Sequence, residues 1–256
     1  MVSITKIPFG LKDNRLVGLD EVESGLACGC LCPACESPLV ARKGSRNTHH
    51  FSHYQRTSCP SSFETSVHRM AKQIIAEEKY LWIPRLELKK FKMDQYGQGV
   101  EERLLITEAK IQKFSNIQLE KVLDGVRPDL IAEFRNRAIL IEIFVTNRVD
   151  QKKTNLIRRL RKSAIEIDLS DVSYSVSKDE LRDLVIHGLR NKRWISLESY
   201  RARKKELNLN FKRKWDLNLR RQELVRQHRN TQIEEPIYPP ARSLIRKKLE
   251  NVPKGF

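Results

Sequence analysis

The sequence predicts a mixed α/β domain, a central sheet flanked by helices, with a cysteine- and histidine-rich module in front and a basic helical tail behind. Three observations point there. Between residues 61 and 190 the apolar periodicity runs helix, three or four strands, helix, strand, helix, the pattern of a mixed sheet covered by helices. All five cysteines fall between Cys28 and Cys59, a clustering that suits a metal site in a reducing compartment better than a disulfide framework. Asn191 to Phe256 hold 18 Lys plus Arg against 7 Asp plus Glu, a net of +11 out of +17 for the whole chain. The expected domains are therefore 1–60, 61–190 and 191–256.

The chain's 256 residues allow one full core plus a small module. Its 49 Lys plus Arg against 32 Asp plus Glu call for a polyanionic partner, and nucleic acid is the commonest for a soluble protein. The sequence has no 18-residue apolar run and no continuous apolar signal core at its N-terminus. A cytoplasmic chain with no membrane partner is the expectation.

In the first module Cys32-Pro-Ala-Cys35 forms a knuckle, in which two thiolates two residues apart can grip one ion. Thirteen residues separate Cys35 from His49, and three separate His49 from His53, which is zinc-finger spacing. PLVARKG between the halves reads as a hairpin arm turning at Lys43-Gly44. The expected structural Zn²⁺ ligands are Cys32, Cys35, His53 and, as fourth, His50; His49, Cys59 and Cys28 compete for that place.

Ser61-Ser62-Phe63-Glu64 reads as a capping box, opening a helix TSVHRMAKQIIAEEKYLW that must end before Pro84. Glu64, His68 and Lys72 recur every four residues along the border of its apolar face. A solvated ladder would account for that stripe, except that such ladders seldom place histidine at the centre. RLELKKF and ERLLITEAKI alternate as antiparallel strands, and SNIQLEKVLDGV reads as a connector.

RPDLIAEFRNRAILIEIFVT, Arg127 to Thr146, is two apolar strands around a polar turn. Period two puts Ile139, Ile141, Ile143 and Val145 on one face and Leu140, Glu142, Phe144 and Thr146 on the other. Glu142 thus lies between Leu140 and Phe144, where a carboxylate is costly unless paired, hydrogen-bonded or holding a metal. A salt bridge to Arg127 or Arg135 would satisfy it; so would a bound metal. VDQKKTNLIRRLRKS follows as a helix and AIEIDLS as a strand. A second capping box, Ser177 to Glu180, then opens DELRDLVIHGL. In the tail, YRARKKELNLNFKRKWDLNLRRQELVRQHRN reads as a long helix or helical pair. IEEPIYPPARS breaks it and SLIRKKLEN forms a short basic helix. Trp194, Tyr200, Phe211 and Trp215 are interleaved with the basic residues, and a segment of this kind contacts nucleic-acid backbone rather than reading bases.

Taken together, CPAC, HHFSH, ETSVHRMAK, RPDLIAEF, LIEIFVT, the VDQKK helix and AIEIDLS resemble, in that order, the competence protein CoiA-like family, whose core resembles the PD-(D/E)XK nucleases. The resemblance covers roughly residues 17–195. It implies Mg²⁺- or Mn²⁺-dependent hydrolysis of phosphodiester bonds, with DNA as the partner and a link to DNA uptake, processing or phage defence. Asp129 and Glu142 would hold the catalytic ion, Glu64 would complete its shell, and His68 and Arg127 would face the phosphate backbone. One position departs from the family pattern: Phe144 stands where a lysine belongs, two residues after the second acid. Lys72, or Lys152 or Lys153 from the following helix, would have to replace it. The fold family admits homo-oligomers. A non-catalytic, zinc-containing DNA-binding or recombination-accessory protein is the alternative.

Overall fold

Alternating apolar side chains in Arg137–Phe144 build the middle strand of a five-stranded sheet, and the other elements are placed around it. A computed structural model describes residues 6–44, 48–55, 59–146 and 151–233. In chain order the elements are β1 (Gly10–Lys12), β2 (Arg15–Val17), β3 (Leu39–Arg42), β4 (His50–His53), α1 (Ser62–Glu78), β5 (Tyr80–Ile83), β6 (Leu86–Met93), β7 (Gly99–Thr107), β8 (Lys110–Lys113), β9 (Asn116–Leu119), β10 (Leu130–Phe134), β11 (Arg137–Phe144), α2 (Gln151–Arg159), β12 (Ser163–Asp168), α3 (Lys178–Arg182, continued by a π-helical turn Asp183–His187), β13 (Lys192–Ser196) and α4 (Tyr200–Ile233).

The large sheet runs β13-β12-β11-β10-β9. It is mixed: β11 and β12 are parallel, and every other pair is antiparallel. Its two faces are covered separately. Ile139, Ile141, Ile143, Ile165 and Ile167 pack with Val67, Met70, Ala71, Ile74 and Ile75 of α1 and with Leu181, Val185 and Ile186. Leu140, Ile131 and Ala164 pack with Ile157 of α2. The expected mixed α/β class and the period-two division of β11 are both realised. The chain divides into two packed units, one of Met1–Lys89 with Arg103–Leu207, the other of Lys90–Glu102 with Asn208–Phe256.

Three element readings differ from expectation. The first helix stops at Glu78, because Lys79 takes the left-handed conformation (φ 54°) and returns its N–H to the Ile75 carbonyl. The aromatic and β-branched YLWI that follows pairs antiparallel with β8 instead of extending the helix. Ser61 makes no side-chain capping bond; the Cys59 carbonyl instead accepts Ser62 N–H (3.2 Å) and Oγ–H (2.8 Å). The capping box at Ser177 and Glu180 forms as expected. Within the stretch read as a connector, Asn116–Leu119 adds an edge strand to the sheet. The start of the basic tail supplies the opposite edge, β13.

In the second unit, Asp94 at the β6–β7 turn accepts the N–H groups of Tyr96 and Gln98 (both 2.9 Å). Asn218 (2.9 Å) and Gln222 of α4 donate to its other oxygen. Phe211 and Trp215 stack at 6.1 Å, with Lys90 and Lys92 over their respective rings. These aromatics, read from the sequence as interleaved with basic residues, hold the hairpin tip. α4 is one helix of 34 residues. The break expected from Glu234 onward and the short helix SLIRKKLEN lie outside the described residues. Among the described residues no helix is long and apolar enough to cross a membrane.

Candidate functional site

The front module gathers Cys32, Cys35, His53 and Cys59, whose ligand atoms all lie within 4.8 Å of one another. Cys35 Sγ is 3.3 Å from His53 Nε2. A tetrahedral ion bound by thiolates at about 2.3 Å would hold its ligands about 3.7 Å apart. The cluster can therefore close around a metal ion such as zinc with little movement. Burial pushes the Cys32 thiol up to about 12 and also raises that of Cys59. At Cys35 burial acts the same way but is outweighed by hydrogen bonds from Ser37, Cys32 and His53, which bring it to about 6. Without an ion, then, the cluster holds neutral thiols in apolar surroundings beside one easily ionised thiol. A divalent ion favours the thiolate form of all three.

His50, expected as fourth ligand, is not part of the cluster. β4 pairs His53 with Leu39 but His50 with Arg42, at the opposite end of the hairpin. Side chains three apart on a strand also point to opposite faces. The His50 Nδ1 group bonds the Thr48 carbonyl instead (2.7 Å). Cys59 takes the fourth place, reaching it from the turn that starts α1. Of the other competitors, His49 is exposed and Cys28 Sγ–H donates to the Leu39 carbonyl (3.3 Å). The module is tied to α1 directly: Arg69 donates to the Pro33 carbonyl inside the knuckle (2.8 Å).

The second site lies at the β10–β11 pair. Leu130 faces Ile141, so continuing that register puts Asp129 opposite Glu142. Asp129 Oδ2 accepts Ile143 N–H (2.8 Å) and sits 3.1 Å from His68 Nε2 on α1. Burial alone would raise the Asp129 carboxyl. The His68 bond and charge, the Ile143 N–H and the Lys153 charge outweigh it, and the group is held below the usual range. Glu142 is 1% exposed. Its Oε2 is 2.6 Å from Lys153 Nζ on α2, while its Oε1 is buried with no hydrogen-bond partner among the described residues. Burial raises its carboxyl to about 7; Lys153 opposes that shift, and the Asp129 and Glu166 charges add to it. One carboxylate is thus firmly ionised and its neighbour is poised near neutrality.

The other predicted positions distribute as follows. Lys153, one of three candidates for the displaced lysine, is at Glu142. Lys72 is not: it is buried and paired at 2.5 Å with Glu120, which also binds Arg127 through its other oxygen and its backbone carbonyl. Glu142 therefore pairs with neither Arg127 nor Arg135. Lys152 is exposed on the first turn of α2, and Glu64 is half-buried on the first turn of α1, below His68. The stripe Glu64, His68, Lys72 forms as a helix face, and its last two members reach Asp129, just before β10, and Glu120, just after β9.

Three residues escaped the sequence. Glu120 follows the short edge strand, with its N–H bonded to the Asp129 carbonyl (3.0 Å). Lys72 chiefly, then Arg127, keeps its carboxyl low. Glu166, 0% exposed, stands beside Glu142 in parallel register and is clasped by Arg193 with two bonds of 2.6 and 2.8 Å. The available signal was the acid in the middle of AIEIDLS, which repeats the pattern of LIEIF.

Residues 25–62 match the family model described as competence protein CoiA, N-terminal domain. No curated protein and no solved structure matches the chain. The matched stretch contains Cys32, Cys35, His53 and Cys59, so over residues 25–62 the chain is similar to the N-terminal domain of competence protein CoiA.

Proposed function

We propose that the chain is a divalent-metal-dependent nuclease of the PD-(D/E)XK type, acting on DNA in uptake, processing or phage defence, with a structural Zn²⁺ on Cys32, Cys35, His53 and Cys59. The observation that carries the reading is the environment of Glu142. A fully buried carboxylate with one oxygen bonded to Lys153 and the other without a partner among the described residues is unfavourable as an apolar-core residue. It suits a hard cation, for which ionised Asp129 offers a second oxygen donor. The ion, Mg²⁺ or Mn²⁺, would supply Lewis-acid activation of the attacking water and offset charge on the phosphate.

The chain's own residues then have distinct tasks. His68 donates to Asp129 and fixes that carboxylate's orientation. Lys153 supplies the cation missing at Phe144, arriving from the next helix, and is placed to share a proton with Glu142 or to face a phosphate oxygen. Glu120 holds Lys72 and Arg127 beside the site, which keeps two positive charges near the path of a DNA backbone. From Tyr200 to Ile233 there are 11 Lys plus Arg against 3 Asp plus Glu, and this helix extends the sequence-independent attraction. The CoiA N-terminal domain supports the link to transported or processed DNA.

Cleavage of linear DNA with added Mg²⁺ or Mn²⁺ tests the reading. Wild type cuts, whereas Glu142→Ala binds but does not. Lys153→Ala loses about 10²–10³-fold in rate, the usual effect of deleting one preorganised charge. Equal cutting by wild type and Glu142→Ala sinks the assignment. The ion pair closing Glu142, with Phe144 in the motif position, favours the accessory-protein alternative if wild type binds DNA without cutting it under any divalent ion.

A further inference from the structure

A cleft of about 530 Å³ opens beside the edge strand β13 and is lined in part by Arg158, Arg161, Trp194, Glu198, Tyr200 and Arg201. Its volume lies within the range of small-ligand sites, about 300–1,000 Å³, and is too small for a duplex. Its charge is one-sided: three guanidinium groups face one carboxylate. Neither Arg161 nor Arg201 has an ion pair or side-chain hydrogen bond among the described residues, and Arg158 spends only its Nε–H, on the Ile195 carbonyl (3.3 Å). Guanidinium groups with unused donors suit a phosphate, which can be bound in a planar, bidentate fork. The cleft also offers flat surfaces. The Trp194 indole is fixed by donating Nε1–H to the Pro84 carbonyl (3.0 Å), and Tyr200 lies alongside. Indole and phenol rings accept nucleobases by stacking without regard to base identity.

We propose that this cleft binds a single unpaired nucleotide, its phosphate on Arg158, Arg161 and Arg201 and its base against Trp194. This deepens the nucleic-acid reading given above, yet the pocket stands or falls without any cutting. Glu142, Glu166 and Arg193 are aligned across β11, β12 and β13, and the cleft begins near Ser196, three residues further along β13. Strand spacings of about 4.8 Å and rises of about 3.3 Å then put it on the order of 14 Å from Glu142. That is about four stacked nucleotides of one strand at about 3.4 Å each. The cleft therefore selects a single-stranded flank, a substrate feature separate from the carboxylate site.

The test is calorimetric titration of the full chain at low salt, with no divalent cation added, so that failure of the nuclease reading leaves this result independent. The ligands are thymidine 5′-monophosphate, thymidine and inorganic phosphate. The monophosphate binds most tightly, inorganic phosphate competes with it, and thymidine binds at least tenfold more weakly. Arg161→Gln with Arg201→Gln weakens the monophosphate by at least tenfold; both side chains are exposed, and an unchanged melting curve checks that the fold survives. Lys110→Gln with Lys113→Gln, exposed lysines on β8, removes the same charge elsewhere and leaves binding within twofold. Equal affinity for thymidine and its monophosphate, an unaffected arginine double variant, or equal loss in the lysine control overturns the proposal.

Discussion

Replacing Glu142 by glutamine is expected to stabilise the fold above neutral pH. The carboxyl is held at about 7, chiefly by burial, against an ordinary 4.5. Below about pH 4.5 both folded and unfolded chains hold the proton. Between 4.5 and 7 the unfolded chain releases it while the folded chain retains it, so folding stability falls as pH rises through this window and levels off above 7. The displacement corresponds to about 3 kcal/mol. Glutamine keeps the shape and removes the titration, and Lys153, with its side chain 33% exposed, keeps access to water. The variant should match wild type near pH 4.5 and exceed it by up to about 3 kcal/mol at pH 8, about 6–12 °C in melting temperature. Thermal unfolding by circular dichroism from pH 4.5 to 8 measures this. Added Mg²⁺ at pH 8 should raise the melting temperature of wild type but not of the variant, because an ion that binds only the folded state stabilises it. Parallel stability curves for the two proteins across this range, or a variant less stable than wild type at pH 8, would refute the reasoning.

Two further outcomes are expected. Protein purified without chelator should carry about one equivalent of zinc by elemental analysis; Cys59→Ala should lose it and His50→Ala should keep it, and the reverse pattern would restore the ligand set read from spacing. Arg193→Ala should cost about 3–5 kcal/mol in chemical denaturation, because it leaves Glu166 buried and unpaired. Glu166→Gln should cost clearly less, since the arginine left behind is largely exposed; equal losses would mean that the pair matters only for packing.

Local pattern carried much of the sheet. Asp129 and Glu142 stood out because a carboxylate interrupts an alternating apolar run, and Lys153 was within reach because it opens the helix after that strand. What pattern could not supply was pairing at a distance. Glu166 looked like an ordinary strand residue until the parallel register set it beside Glu142. Glu120 sat in a stretch read as a connector because four residues are too few for alternation to register. β13 was hidden by the charge of the tail, since Lys192 and Arg193 count toward its basic excess although one is buried and the other clasps Glu166. The helix was read too long for the opposite reason: YLWI continues an apolar face, and only its pairing with β8 makes it a strand. His50 and Cys59 were separable only through the hairpin register.

Cys59 supplies a thiol to the Cys/His cluster, and through its carbonyl it supports the first turn of α1; nine residues on, His68 touches Asp129. Arg69, next along the helix, grips the Pro33 carbonyl between the two knuckle cysteines. A cut at residue 60, natural from composition, would leave a fragment whose first helix has lost both its footing and its brace. Dissection of this chain should therefore treat the knuckle and α1 as one piece, and any exchange of the front module between relatives should carry the helix with it.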